Sequence, residues 1–189
     1  MIKQLKHLFF IGLFISLSFI NNAQPFTESP DIQLNRLTHI AAAWVDYNMD
    51  GHMDFLLTGL NDTVPVSEIY RNKGDGSFSL QTQISLTGFM NASIDWGDFD
   101  NDGDPDILIA GNTGEEVITT IYTNNGDNTF TEFTETTLPG VINGSVAWGD
   151  CDNDGDLDIL PVSAILPGLY YIEIISQEQN FRKVFIRMP

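Results

Sequence analysis

The sequence predicts an all-β protein: a partial, open β-propeller of two to three four-stranded blades, followed by a C-terminal β-hairpin. Three observations carry this reading. Trp44, Trp96 and Trp148 recur at intervals of 52 residues, and Asp46, Asp98 and Asp150 keep the same interval. A second block repeats at that offset, IYRNKGDGSFSLQT over 69–82 matching IYTNNGDNTFTEFT over 121–134. Beyond residue 23 no segment sustains a helical apolar period, whereas period-two alternation is common. A repeat of about 50 residues that reads as four short strands is the pattern of a propeller blade. A sandwich with a repeated hairpin pair is the simpler alternative.

The elements follow in order. Residues 1–23, MIKQLKHLFFIGLFISLSFINNA, carry Lys3 and Lys6, an apolar run over 8–20 and a small Ala23. This is the pattern of a secretory signal peptide cut after Ala23. The run is shorter than the roughly 20 residues a spanning helix needs. No cysteine follows it to carry a lipid, and no later stretch is a candidate span. The repeat region is 24–163, with units at 38–89, 90–141 and a partial one at 142–163. In the second unit Ile94 and Trp96 alternate with Ser93 and Asp95 as the first strand. Residues 107–109 form a short buried second strand, and 117–123 a third. NNGDN (124–128) is a turn, and 129–134 alternates as the fourth strand. NKGDG (72–76) is the matching turn of the first unit.

Charge limits the partners. The chain has 26 Asp and Glu against 8 Lys and Arg, a formal charge of −18. Removal of Lys3 and Lys6 with the leader makes the balance more acidic still. Nucleic acid is excluded as a partner, because its phosphates would be repelled. Bound cations fit such a chain. Cys151 is the only cysteine, so no internal disulfide forms.

Much of the acid sits in three loops. In DFDNDGDPD (98–106) Asp98, Asp100, Asp102, Asp104 and Asp106 occupy positions 1, 3, 5, 7 and 9, with Gly103 at position 6. A hard cation such as Ca²⁺ takes six to eight oxygens, and carboxylates on alternate residues of a curled loop can turn inward together. Glycine at position 6 supplies the sharp bend. Position 7 would offer its backbone carbonyl, so its side chain is free to vary. The third loop supplies Asp150, Asp152, Asp154, Asp156 and Asp158 around Gly155. The first supplies Asp46, Asn48, Asp50, His52 and Asp54 around Gly51, one charge fewer at position 3, and is expected to bind more weakly. One Ca²⁺ per loop, up to three, is the expected cofactor load. Helix–loop–helix calcium sites share the opening of this pattern but need Glu at position 12. Here that position holds Leu57, Ile109 and Pro161. A solvated acidic turn without metal is the alternative for any one loop. Mg²⁺ fits less well, because it keeps several waters.

DxDxDGxxD between two strands, with WGD before it (96–98, 148–150) and DILIAG after it (106–111), resembles the FG-GAP or VCBS repeat. The resemblance covers roughly residues 38–163. It implies four-stranded blades with Ca²⁺ between two strands, as in integrin α-subunits and many secreted bacterial proteins. It also implies adhesion or ligand binding rather than catalysis. Family propellers have about seven blades, so two units and part of a third would not close a ring. The piece over 164–189 changes style. Two alternating strands, 169–176 and 181–187, flank a polar turn, and Arg182, Lys183 and Arg187 add basic charge. It resembles the end of the C-terminal sorting domain of type IX secretion systems. The alternative is that this hairpin completes the third blade.

Other residues are read more plainly. The three tryptophans are expected to be buried packing rather than ligand platforms. Cys151 is expected to be a small buried or half-buried residue and not a nucleophile, since no histidine follows it. His39 and His52 lack zinc spacing. No catalytic residues are assigned and no enzyme activity is expected. The expected function is a secreted or surface-exposed calcium-binding repeat protein of a Gram-negative bacterium, serving adhesion or protein or glycan interaction. An accessory module of a secreted polysaccharide-degrading enzyme is the alternative. The expected partner is a surface protein or glycan, with self-association or the type IX machinery as further partners.

Overall fold

Short alternating apolar runs punctuated by Gly, Asn and Asp favour antiparallel strands joined by tight turns. The structure, a computed structural model, consists of such strands throughout residues 34–141, 143–166, 169–175 and 182–187, which are the residues it describes. The expected signal peptide lies outside them.

β1 (Thr38–Val45), β2 (Asp54–Asn61), β3 (Val64–Asn72) and β4 (Phe78–Leu80) form one antiparallel sheet in chain order. β5 (Met90–Gly97), β6 (Asp106–Asn112), β7 (Val117–Asn124) and β8 (Phe130–Phe133) form the second. The two share one register: Phe55 lies opposite Trp44 and Tyr70, as Ile107 lies opposite Trp96 and Tyr122. Each first strand carries a register shift, between Thr38 and Ala41 and between Met90 and Ser93. The residues inside these shifts, His39 and Asn91, have φ of 55° and 51°, and Asn143 repeats the feature at 49°. Asparagine tolerates this left-handed conformation better than most residues.

The third unit is shorter in its first strands. β9 (Trp148–Gly149) pairs with β10 (Asp158–Ile159), and β11 (Val162–Leu166), β12 (Leu169–Ile174) and β13 (Arg182–Arg187) form a three-stranded sheet. The two pieces are joined. Ile159 bridges Ile175, and Val162 bridges Ser145. Ile159↔Ile175 lies on the same register line as Val162↔Ile172, so β10 and β11 form one edge interrupted near Pro161. Proline has no N–H to give to a ladder. The tail strands therefore extend the third sheet, in the position that β3 and β4 hold in the first. This pairing favours blade completion over a separate hairpin.

The sheets stack face to face. Val45, Tyr47, Leu56 and Ile69 of the first unit pack on Ile107, Ile109 and Tyr122 of the second, with Trp96 and Phe130 at the edge. Leu108, Ala110 and Ile121, on the other face of the second sheet, pack on Val146, Ile159 and Ile175 of the third, with Phe99 and Trp148 alongside. Leu56, Ile107 and Leu108 are wholly buried, each worth about 1.5–3 kcal/mol relative to exposure. The connections between sheets end in Phe89 and Val141, 52 residues apart and both buried in these layers.

Two expectations need correction. Trp96 and Trp148 are half-buried between sheets, but Trp44 is 61% exposed, because among the described residues no sheet lies against that face of the first one. Cys151 is exposed for the matching reason at the other end of the stack.

Candidate metal centres

The acidic loops join the first and second strands of each unit, at one end of every sheet. Their curl is set by the backbone. Gly51, Gly103 and Gly155 at position 6 have φ of 86°, 98° and 98°, a conformation that glycine adopts freely. Position 4 is also left-handed, at Met49, Asn101 and Asn153. The position-1 carboxylate collects the amides this curl brings round. Gly51 N donates to Asp46 Oδ2 (2.8 Å), Gly103 N to Asp98 Oδ2 (3.1 Å) and Gly155 N to Asp150 Oδ2 (3.2 Å).

Two of the three loops gather their acids. Carboxylate oxygens of Asp98, Asp100 and Asp106 all lie within 4.8 Å of one another, and so do those of Asp150, Asp152 and Asp158. Oxygens bound to one Ca²⁺ sit at about 2.3–2.6 Å from it, so each set can share a single ion. Asp98 Oδ1 is buried with no hydrogen-bond partner, and such an atom calls for a cation or a donor. Burial, and next the charge of Asp102, push the Asp100 carboxyl above its usual range. Burial and then Asp154 do the same to Asp152. These residues fit a hard divalent ion.

The position-9 acid has a second task that the sequence did not announce. Asp106 is fully buried, accepting from Phe99 N through Oδ2 and from Asn124 N through Oδ1, both at 2.7 Å. It ties the loop to the end of the third strand. Asp54 accepts from Asn72 N (2.7 Å) and Asp158 from Cys151 N (2.8 Å) in the same way. Burial pushes both Asp54 and Asp106 up to about 6.

Positions 5 and 7 stand aside from the clusters. Asp102 Oδ1 accepts from Asp104 N (2.9 Å) and Asp154 Oδ1 from Asp156 N (2.9 Å), closing the bend. The position-7 side chains turn toward other loops. The His52 ring lies over Gly74, the Asp104 carboxylate over Gly126, and Asp156 Oδ1 accepts from Asn101 Nδ2 (2.9 Å).

The first loop differs. Among the described residues, its acids do not form a cluster of three within that distance. Asp50 instead meets the guanidinium of Arg71 at 2.8 Å, a contact that holds its carboxyl below the usual range. Thr123 stands at the corresponding place of the second unit. Arg71 is thus a tethered cation at the loop with the weakest ligand set. Only the 52-residue alignment of Arg71 with Thr123 could have disclosed it in the sequence.

Among the described residues, nothing beside the loops resembles a nucleophile with its base. A hydrogen bond from Cys151 to the carboxylate of Asp158 pushes the thiol up to about 11, away from the reactive thiolate.

The FG-GAP-like repeat family model matches residues 46–109 and 103–160. The chain belongs to this family. The first match runs from the first acidic loop through the whole of the second (98–106), and the second runs from Gly103 inside that loop through the whole of the third (150–158), which agrees with the repeat described above. FG-GAP-like repeats are typically non-catalytic and build propeller-like binding modules, and the open four-stranded antiparallel sheets here are consistent with such blades. No solved structure matches the chain.

Proposed function

We propose that this FG-GAP-like protein is a secreted or surface-exposed, non-catalytic calcium-binding module for adhesion or for protein or glycan interaction. The observation that carries the calcium reading is the convergence of Asp98, Asp100 and Asp106, repeated by Asp150, Asp152 and Asp158, around the unpartnered Asp98 Oδ1. An ion there neutralises carboxylates that otherwise repel, and links the first strand to the second across each loop. Its role is structural, and the blades it stiffens are the binding surface. Export is supported by the sequence over 1–23, and an acidic calcium-dependent chain suits a calcium-rich exterior.

The test is a melting experiment on the full chain in chelator and in millimolar calcium. Calcium should raise the melting temperature, and chelation should reverse the gain. Asp98→Ala and Asp150→Ala should each remove part of that gain, while His52→Ala, whose ring faces Gly74, should keep it. An identical melting temperature with and without calcium would overturn the proposal.

A further inference from the structure

Every sheet in this chain has two different faces, and they mate in one order. The outgoing face of the first sheet (Val45, Tyr47, Leu56, Ile69) meets the incoming face of the second (Trp96, Ile107, Ile109, Tyr122). The outgoing face of the second (Gly97, Phe99, Leu108, Ile121) meets the incoming face of the third (Val146, Trp148, Ile159, Ile175). Two faces remain without a neighbouring sheet among the described residues. The incoming face of the first sheet holds Trp44, Phe55, Leu57, Tyr70 and Phe78, the residues aligned with Trp96, Ile107, Ile109, Tyr122 and Phe130. The outgoing face of the third holds Gly149, Cys151, Leu160 and Ile174.

The first of these surfaces is a preassembled aromatic cluster. Phe55 stacks on Tyr70 at 4.9 Å and meets Trp44 at 5.3 Å and Phe78 at 5.2 Å. Trp44 is 61% exposed and Ile40 62%, and they stand out from Phe55, Leu57 and Tyr70, which are buried with Leu37 packed against them. The second surface is hollow. At the inner joint the space beside Gly97 is filled by the Trp148 indole, which also stacks on Phe99 at 5.3 Å. Beside Gly149 there is nothing within 4 Å. Cys151 stands where Tyr47 and Phe99 stand in the other units, so a ring is absent there. A cavity of about 160 Å³ lies against Gly149, Cys151, Leu160 and Ile174. One face thus offers a protruding indole and the other a hollow at the place where that indole's counterpart seats.

A polar contact repeats the match. Asn124 Nδ2 donates across the inner joint to Tyr47 O (2.8 Å) and within its own sheet to Pro105 O (3.3 Å). Its counterpart Asn72 makes the second bond, to Met53 O (3.1 Å). By the repeat, its cross-sheet acceptor would be the carbonyl of Cys151.

We propose that the incoming face of the first sheet docks on the outgoing face of the third sheet of a second copy of this chain. The occupant follows from the two joints already present in the chain, which use the same surfaces in the same order. The contact is heterologous, so it either closes a ring or propagates. Three sheets per copy make six in a two-copy ring, within the 4–8 blades that propellers close with.

The experiment uses the full chain with Trp44→Glu and Leu160→Glu, both at exposed positions, and reads mass by analytical ultracentrifugation over rising concentration. Circular dichroism shows that each variant stays folded; Ile40→Glu, on the same face as Trp44, serves if Trp44→Glu does not. The wild type should reach twice the mass of one chain, and each variant alone should stay at the single mass. An equimolar mixture of the two variants should regain the double mass, because it restores one undamaged joint. Three results would overturn the proposal. A wild type that stays single at all concentrations means the face is covered by the chain's own N-terminal segment or by an unrelated partner. A Leu160→Glu variant that still doubles means two first sheets meet face to face. A mixture that stays single means the two surfaces do not mate with each other.

Discussion

At the scale of single residues, the three acidic loops share a pattern but not a chemistry. In the second and third, oxygens of three carboxylates lie within 4.8 Å of one another, the arrangement on which the calcium proposal rests. In the first, Asn48 removes one charge and Arg71 covers another at Asp50. The position-5 acids stand aside from the clusters of the other two loops, so on the calcium proposal Arg71 competes only with an ion that draws Asp50 in to replace the charge missing at Asn48. Arg71→Thr, which copies Thr123, should therefore tighten calcium binding at the first loop about two- to fivefold, the range expected when an exposed ion pair is removed. Isothermal titration should show this with the other two sites unchanged. Unaltered affinity in every site would show that Arg71 does not compete. The loop positions were legible in the sequence, because ligand spacing is local. Arg71 was not, because its contact with Asp50 spans 21 residues and depends on the pairing of β2 with β3.

At the scale of elements, the link between sheets is as much a repeated device as the loop. Ser67 Oγ donates to Thr87 O (2.8 Å), and Thr119 Oγ1 donates to Pro139 O (2.7 Å), each fastening a link across the start of the third strand. Gly88 and Gly140 pass so close beneath that a Cβ on Gly88 would lie 2.0 Å from Pro65 O, and one on Gly140 2.2 Å from Val117 O. Both are backbone atoms and cannot swing away. Gly88→Ala should therefore cost about 1–3 kcal/mol, the usual scale of overpacking, whereas Gly76→Ala, with open space around it, should act only through its φ of 89°. Urea denaturation of both variants measures this, and equal midpoints would refute the close-approach argument. Strand positions followed directly from alternation, and β5 to β8 fall where it places them. The glycine links carry no periodic signal and appeared only when the strands were in place.

At the scale of the whole molecule, charge works against the metal-free state. The chain carries 26 acids and 8 bases, and burial lifts Asp54 and Asp106 from 3.8 to about 6. A carboxyl whose folded value lies above its unfolded one binds more protons when folded, so stability falls as pH rises between the two values. Asp50, held low by Arg71, and Asp75, held low by hydrogen bonds from Ser77, act in the opposite sense but are exposed. In chelator, the melting temperature should decline from about pH 4 to about pH 6.5. Saturating calcium should flatten or reverse that slope, because the bound ion requires ionised carboxylates. Calorimetry across this range checks the sign, and a melting temperature that climbs with pH in chelator would contradict it.

The sequence alone determined the repeat of 52 residues, the all-β class, the strand order within the first two units and the loops that curl around Gly51, Gly103 and Gly155. Each of these is written in local spacing, and local spacing survives without knowledge of the fold. Tertiary structure decided what spacing cannot encode: that the tail strands continue the third sheet through Ile159 and Ile175, that position 9 anchors the loop by accepting backbone amides, and that Arg71 reaches Asp50. It also decided the fate of the tryptophans. Trp44, Trp96 and Trp148 are equivalent in sequence, yet Trp44 is exposed, because burial depends on whether a neighbouring sheet lies against the residue, and that is a property of the stack rather than of the repeat.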